Sequence, residues 1–91
     1  MAITLTKKVT TTYANGWPAP GSEGSISATV QPYIEEMITL GKTDGVNESI
    51  DENSMSRLWA DETSAQEFVA LVTGAVAEKG RTDVTITVTD I

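Results

Sequence analysis

The chain of 91 residues contains no cysteine and no histidine. Without cysteine there is no disulfide framework, no thiol nucleophile and no thiolate metal site. Without histidine the commonest general base and the commonest metal ligand are both missing. Nucleophilic triads that rely on either residue are excluded, and no Ser-x-x-Lys occurs to replace them. Basic residues are also scarce, six against thirteen acidic ones, for a net charge of −7. Lys7, Lys8, Lys42, Arg57, Lys79 and Arg81 are scattered, and the adjacent pair points to opposite faces if it lies on a strand. Nucleic acid and anionic membrane surfaces need clustered cations, so neither is an expected partner. No apolar run approaches membrane-spanning length, and MAITLTKKV lacks the core of a secretory signal. The expected location is therefore cytoplasmic.

Aromatic residues are few: Tyr13, Trp17, Tyr33, Trp59 and Phe68. The whole chain, 1–91, reads as one domain, near the small end of what folds without a metal or disulfide. A second copy adds buried apolar area where a single core is thin, so a homodimer is expected.

The segment from Ser54 to Gly80, SMSRLWADETSAQEFVALVTGAVAEKG, carries the clearest pattern. Met55, Arg57 and Trp59 alternate with Ser56, Leu58 and Ala60, which is the period of a strand. Thr63 or Ser64 then serves as the expected N-cap of a helix, with Gln66 or Glu67 closing a capping box. Ala65, Phe68, Val69, Val72, Ala75 and Val76 form its apolar stripe, and Gly80 stops it. At the start of the chain, ITLTKKVTTTY (residues 3 to 13) alternates with many β-branched residues and reads as a half-buried strand. Asn15-Gly16 and the following prolines mark 14–26 as a loop. Val30, Ile34, Met37 and Ile38 show helical spacing, with Ser27 or Thr29 as cap and Leu40-Gly41 as stop. A competing reading makes Ser25 to Val30 a strand. Residues 42–53 are polar, and Val46 to Ile50 is either a short strand or loop. From Thr82 to Ile91, Val84, Ile86 and Val88 alternate with Thr85, Thr87 and Thr89, a strand with one buried face.

With the short strand included, the order is β-α-β-β-α-β. This is the ferredoxin-like α+β unit, an antiparallel sheet with both helices on one face. A bare opposite face exposes Val, Ile and Leu to water, which face-to-face pairing of two sheets would relieve.

The corner Arg57-Leu58-Trp59-Ala60-Asp61-Glu62, running into Ser64-Ala65-Gln66-Glu67-Phe68, resembles that of dimeric α+β-barrel proteins. There, a strand with an exposed Trp or Tyr leads into a helix opening with a Ser/Ala-x-x-x-Phe pattern. The chain is also similar in size and style to small uncharacterised proteins from marine environmental or phage sequence. The resemblance implies a dimeric barrel, in a superfamily that spans cofactor-independent monooxygenases, haem enzymes, lactone isomerases and proteins without known activity. It leaves function open.

Candidate sites follow from this. If the helices cover the Leu58 face, Met55, Arg57 and Trp59 point to the barrel interior or the dimer interface. They then act as interface anchors, or as a ligand cleft with Trp59 as wall and Arg57 as anion anchor. The acidic pairs Glu35-Glu36, Asp51-Glu52 and Asp61-Glu62 read as solvated surface, the last favourably placed at a helix N-terminus. Asp44, Asn47, Asp51 and Glu52 lack the ligand spacing of a calcium loop. The glycines form no phosphate cradle, and Asn47-Glu48-Ser49 is a glycosylation sequon without secretory context. No cofactor and no metal is expected, no catalytic residue is identified, and a small-molecule ligand has no motif to support it. Three functions remain: a non-catalytic binding or structural homodimer, a monooxygenase-like enzyme using Asn47 or Asn53 with Trp59, and an acidic module for a basic protein.

Overall fold

The computed structural model describes residues 4–16 and 26–91, with only the backbone of Ser27. Most of the expected loop 14–26, including Trp17, lies outside the described residues, as does Ile3. Six elements follow in order: β1 (Lys7–Tyr13), α1 (Ser27–Thr39), β2 (Glu48–Ser49), β3 (Ser54–Trp59), α2 (Glu62–Glu78) and β4 (Val84–Asp90). The strands form one sheet in the order β2-β3-β1-β4, and every neighbouring pair is antiparallel. This is the ferredoxin-like α+β arrangement expected from the periodicity.

Register determines what each face carries. In an antiparallel ladder, residues directly opposite share a face. Val9 pairs with Arg57 and Val88, Thr11 with Met55 and Ile86, and Lys7 with Trp59 and Asp90. Both helices cover this face, where Val9, Tyr13 and Trp59 meet Ile34, Met37, Phe68, Val72 and Val76 in one buried cluster. The other face carries Lys8, Thr10, Thr12, Ser54, Ser56, Leu58, Thr85, Thr87 and Thr89. Two expectations are thereby corrected. The helices lie over the Trp59 face, not the Leu58 face. The bare face is hydroxyl-rich, with Leu58 its one large aliphatic residue on the paired strands, because every inward Val and Ile of β4 alternates with an outward Thr.

The helices end as their sequences suggest and begin differently. At the C-terminus of α1, Gly41 (φ 74°) follows Leu40; its N–H donates to the Ile38 carbonyl at 3.1 Å, and Lys42 donates to Met37 at 2.8 Å. α2 closes the same way, with Gly80 donating to Ala77 and Arg81 to Val76, both at 3.0 Å. These paired bonds satisfy carbonyls left over by each last turn. The N-cap of α2 is Asp61, three residues before Ser64, and its carboxylate accepts from the Ser64 N–H at 2.8 Å. An ionised carboxylate is a stronger acceptor for that amide than a hydroxyl, and it complements the helix dipole. The N-cap of α1 is Ile26, with no side-chain cap. Ile26 is buried, so packing anchors this start where capping does not. The strand reading of 25–30 does not hold, since α1 begins at Ser27.

β2 is shorter than Val46 to Ile50. Only Glu48 and Ser49 pair with β3, opposite Ser56 and Met55, while Val46 and Ile50 are exposed. Thr43 is the better buried residue of this segment. It bridges to Trp59, and its hydroxyl donates to the Leu58 carbonyl at 2.7 Å.

Candidate functional site

β3 carries Met55, Arg57 and Trp59 on one face, as alternation requires, but the helices set them in different environments. Trp59 is 0% exposed. Its ring lies 4.8 Å from Phe68 and 5.8 Å from Tyr33, centroid to centroid, in an aromatic cluster between sheet and helices. It is a core residue and is not exposed to a second subunit or a substrate. Its indole nitrogen has no hydrogen-bond partner among the described residues.

Met55 and Arg57 lie nearer the margin of the helix layer and are half-buried. Residues 43–47 form the wall beside them. Asp44 accepts the Val46 N–H at 3.0 Å, a local turn, and Gly45 takes a positive φ of 77° within it. Ile38 of α1 sits against Gly45; a Cβ there would lie 2.6 Å from Ile38 Cδ1. The turn therefore aims the Gly45 carbonyl at Arg57, whose Nη1 donates to it at 3.3 Å. Asn47 Nδ2 reaches the Met55 sulfur at 3.1 Å. Burial pulls the Arg57 guanidinium below its usual range, and the nearby Asp44 charge partly opposes this. No carboxylate lies within ion-pair distance of Arg57 among the described residues.

Arg81 makes the contrast. It donates from Nε and Nη2 to the two carboxylate oxygens of Asp83, at 2.9 and 2.6 Å, and from Nη2 to the Gly16 carbonyl at 3.3 Å. Its guanidinium also lies 4.7 Å from the centre of the Tyr13 ring. Asp83 in turn accepts the Asn15 N–H at 3.0 Å, and these bonds hold its carboxyl well below the usual range, the Arg81 pair first. This clasp ties the start of β4 to the end of β1. Its signal in the sequence is the short Arg-x-Asp spacing ahead of a strand, which the periodicity did not single out.

The acidic pairs sort as surface and caps. Glu35 and Glu36 are both exposed on α1. Asp51 accepts the Asn53 N–H at 2.7 Å in the turn between β2 and β3, and Glu52 is exposed. Asp61 caps α2 and pairs with Lys42 at 2.9 Å, while Glu62 pairs with Lys7 at 3.2 Å. Among the described residues, no group of three His, Cys, Asp or Glu is placed to hold a metal ion. Within the same residues, no helix is long and apolar enough to cross a membrane. Asn47 and Asn53 do not converge with Trp59: Asn47 engages Met55, and Asn53 sits in the turn before β3, where its carbonyl accepts from Tyr13.

The open sheet face holds one further oddity. Ser56 is 1% exposed between its neighbours Thr10 and Glu48, and its hydroxyl has no hydrogen-bond partner among the described residues. Thr12 and Ser54, one pair along, bond to each other at 2.8 Å.

No family model, curated protein or solved structure matches the chain, so the likeness to dimeric α+β-barrel proteins goes no further than the small α+β fold with its four-stranded antiparallel sheet.

Proposed function

We propose that this chain is a non-catalytic binding domain that acts as a homodimer and holds a small oxyanion-bearing ligand at Arg57. The observation that carries the reading is the contrast between the two arginines. Arg81 has its carboxylate, whereas Arg57 is half-buried with one carbonyl contact and, among the described residues, no carboxylate within ion-pair distance, the Asp44 charge lying nearby but unpaired with it. A guanidinium carries five donors in a planar fork suited to carboxylate or phosphate. Removing such a charge from water is costly unless it is paired. A bound carboxylate or phosphate supplies that pairing, with Met55 and Asn47 alongside to contact the rest of the ligand.

The experiment is a titration with sodium succinate and, separately, sodium phosphate, following the backbone amide resonances of Gly45, Asn47 and Met55 at constant ionic strength. A saturable shift that is absent in Arg57→Gln supports the reading. A drift that sodium chloride reproduces at matched ionic strength contradicts it.

A further inference from the structure

β4 is an edge strand of seven residues, and among the described residues nothing pairs with its outer side. Natural edges of this length are blunted by lysine, proline or a bulge. The stretch Val84-Thr85-Ile86-Thr87-Val88 has none of these.

The ladder shows which backbone groups are open. Ala14 donates to the Asp83 carbonyl and Ile91 to the Thr6 carbonyl, each directly opposite in register. Hydrogen-bonded and non-bonded pairs alternate along an antiparallel ladder. Thr85, Thr87 and Thr89 therefore turn their N–H and C=O groups to β1, and Val84, Ile86 and Val88 turn theirs outward.

We infer that two copies of this chain pair their β4 strands antiparallel, about a two-fold axis at Ile86, making one continuous sheet. This rests on the homodimeric part of the proposed function and supplies its contact. The occupant is a second copy because the strand is self-complementary: read backwards, Val84-Thr85-Ile86-Thr87-Val88 is the same sequence. The axis places Ile86 opposite Ile86, Val84 opposite Val88, and Thr85 opposite Thr87. Every outward N–H then meets an outward C=O, apolar side chains meet on the helix side, and hydroxyls meet on the other. The contact is isologous and closed, as a two-fold requires.

Three further observations fit this occupant. Val84, Ile86 and Val88 remain half-buried beside the core, leaving apolar surface along the edge. Val69, also half-buried, lies two turns from Glu62 on α2, on the flank toward β4, since Glu62 and Asp90 both bind Lys7. The carboxylates at the two ends of the strand are already held within the chain, Asp83 just before it by Arg81 and Asp90, its last residue, by Lys7. The pairing surface is therefore neutral, although each copy is strongly acidic.

Sedimentation equilibrium on the full chain tests the pairing with three variants. Ile86→Pro removes an N–H that β1 does not use, so the fold survives and the dimer is lost. Ile86→Lys sets like charges opposite each other at the axis and is read if the proline variant fails to fold. Thr10→Lys places a charge at the middle of the open sheet face, where it blocks face-to-face stacking and leaves the β4 edge untouched. The expected result is a dimeric wild type and Thr10→Lys, with both Ile86 variants monomeric and unchanged in far-ultraviolet circular dichroism. A dimer that survives in a folded Ile86 variant overturns the β4 contact alone. A monomeric wild type overturns the contact and the homodimeric reading together.

Discussion

The rings of Trp59 and Phe68 lie 4.8 Å apart, and this contact couples the last residue of β3 to the buried face of α2. Because Trp59 alternates with Leu58, the same contact determines which face of the sheet stays open. Trp59→Ala should therefore act on folding before it acts on assembly. Truncating a fully buried tryptophan costs about 3–5 kcal/mol, a large part of the stability of a domain this small. Urea unfolding followed by circular dichroism should show that loss. A well-folded variant that is merely monomeric would place Trp59 at an interface instead.

Asp61 links the start of α2 to Lys42. Its carboxyl is lowered from 3.8 to about 2, first by the Ser64 N–H, then by the Lys42 side chain. A depressed folded-state value contributes stability above the unfolded value, and that contribution disappears as pH falls through the folded one. The window is thus pH 4 down to about 2. Asp61→Asn keeps a capping oxygen but cannot titrate, so its stability gap from wild type should narrow across that window. Asp61→Ala should cost about 1 kcal/mol at neutral pH. A gap independent of pH would remove Asp61 from the account of acid unfolding.

Gly45 shapes the wall beside Arg57. Replacing it with Ala sets a Cβ against Ile38 Cδ1 and strains a positive φ. Ile38 is 43% exposed and can yield, so the backbone term dominates, at about 1 kcal/mol. The variant should lose that stability and weaken succinate binding together. Unchanged binding would separate the turn from the Arg57 site.

Ser56 buries a hydroxyl that finds no partner among the described residues, an arrangement that costs about 1–3 kcal/mol where water cannot reach it. Ser56→Ala removes the group with little change in volume. Thermal unfolding should show stability unchanged or raised; a clear loss would mean that the hydroxyl is satisfied in solution.

The parts of this fold that were legible in the sequence are those governed by local rules. Alternation located β1, β3 and β4, and helical spacing with Gly41 and Gly80 located both helices and their ends. Facing was not legible, because β3 carries Trp59 on one side and Leu58 on the other, and alternation alone cannot say which side meets a helix. Three inward apolar residues on β4 and the outward threonines between them were the available signal. Counting those threonines with Thr10, Thr12, Ser54 and Ser56 would have marked the open face as polar. β2 was legible only as the short strand or loop of Val46 to Ile50, because its two paired residues, Glu48 and Ser49, are exposed and polar. Residue type marks Arg57 as a candidate, but the absence, among the described residues, of a carboxylate at ion-pair distance depends on long-range packing that no local pattern encodes.

Salt should report on the assembly. Each copy carries a net charge of −7, while the β4 contact is neutral, so repulsion between copies is the main electrostatic effect. Raising sodium chloride from about 0.05 M to about 0.5 M shortens the screening length severalfold and should tighten the dimer. Weakening by salt would point to a contact built on ion pairs.

The most direct measurement is residue-resolved amide hydrogen exchange along β4 at concentrations used for solution NMR. Pairing at the edge predicts that Val84, Ile86 and Val88 are protected along with Thr85, Thr87 and Thr89, and that their protection falls on dilution. Protection confined to the three threonines, with the alternate amides exchanging freely at every concentration, would show an open edge and contradict the account.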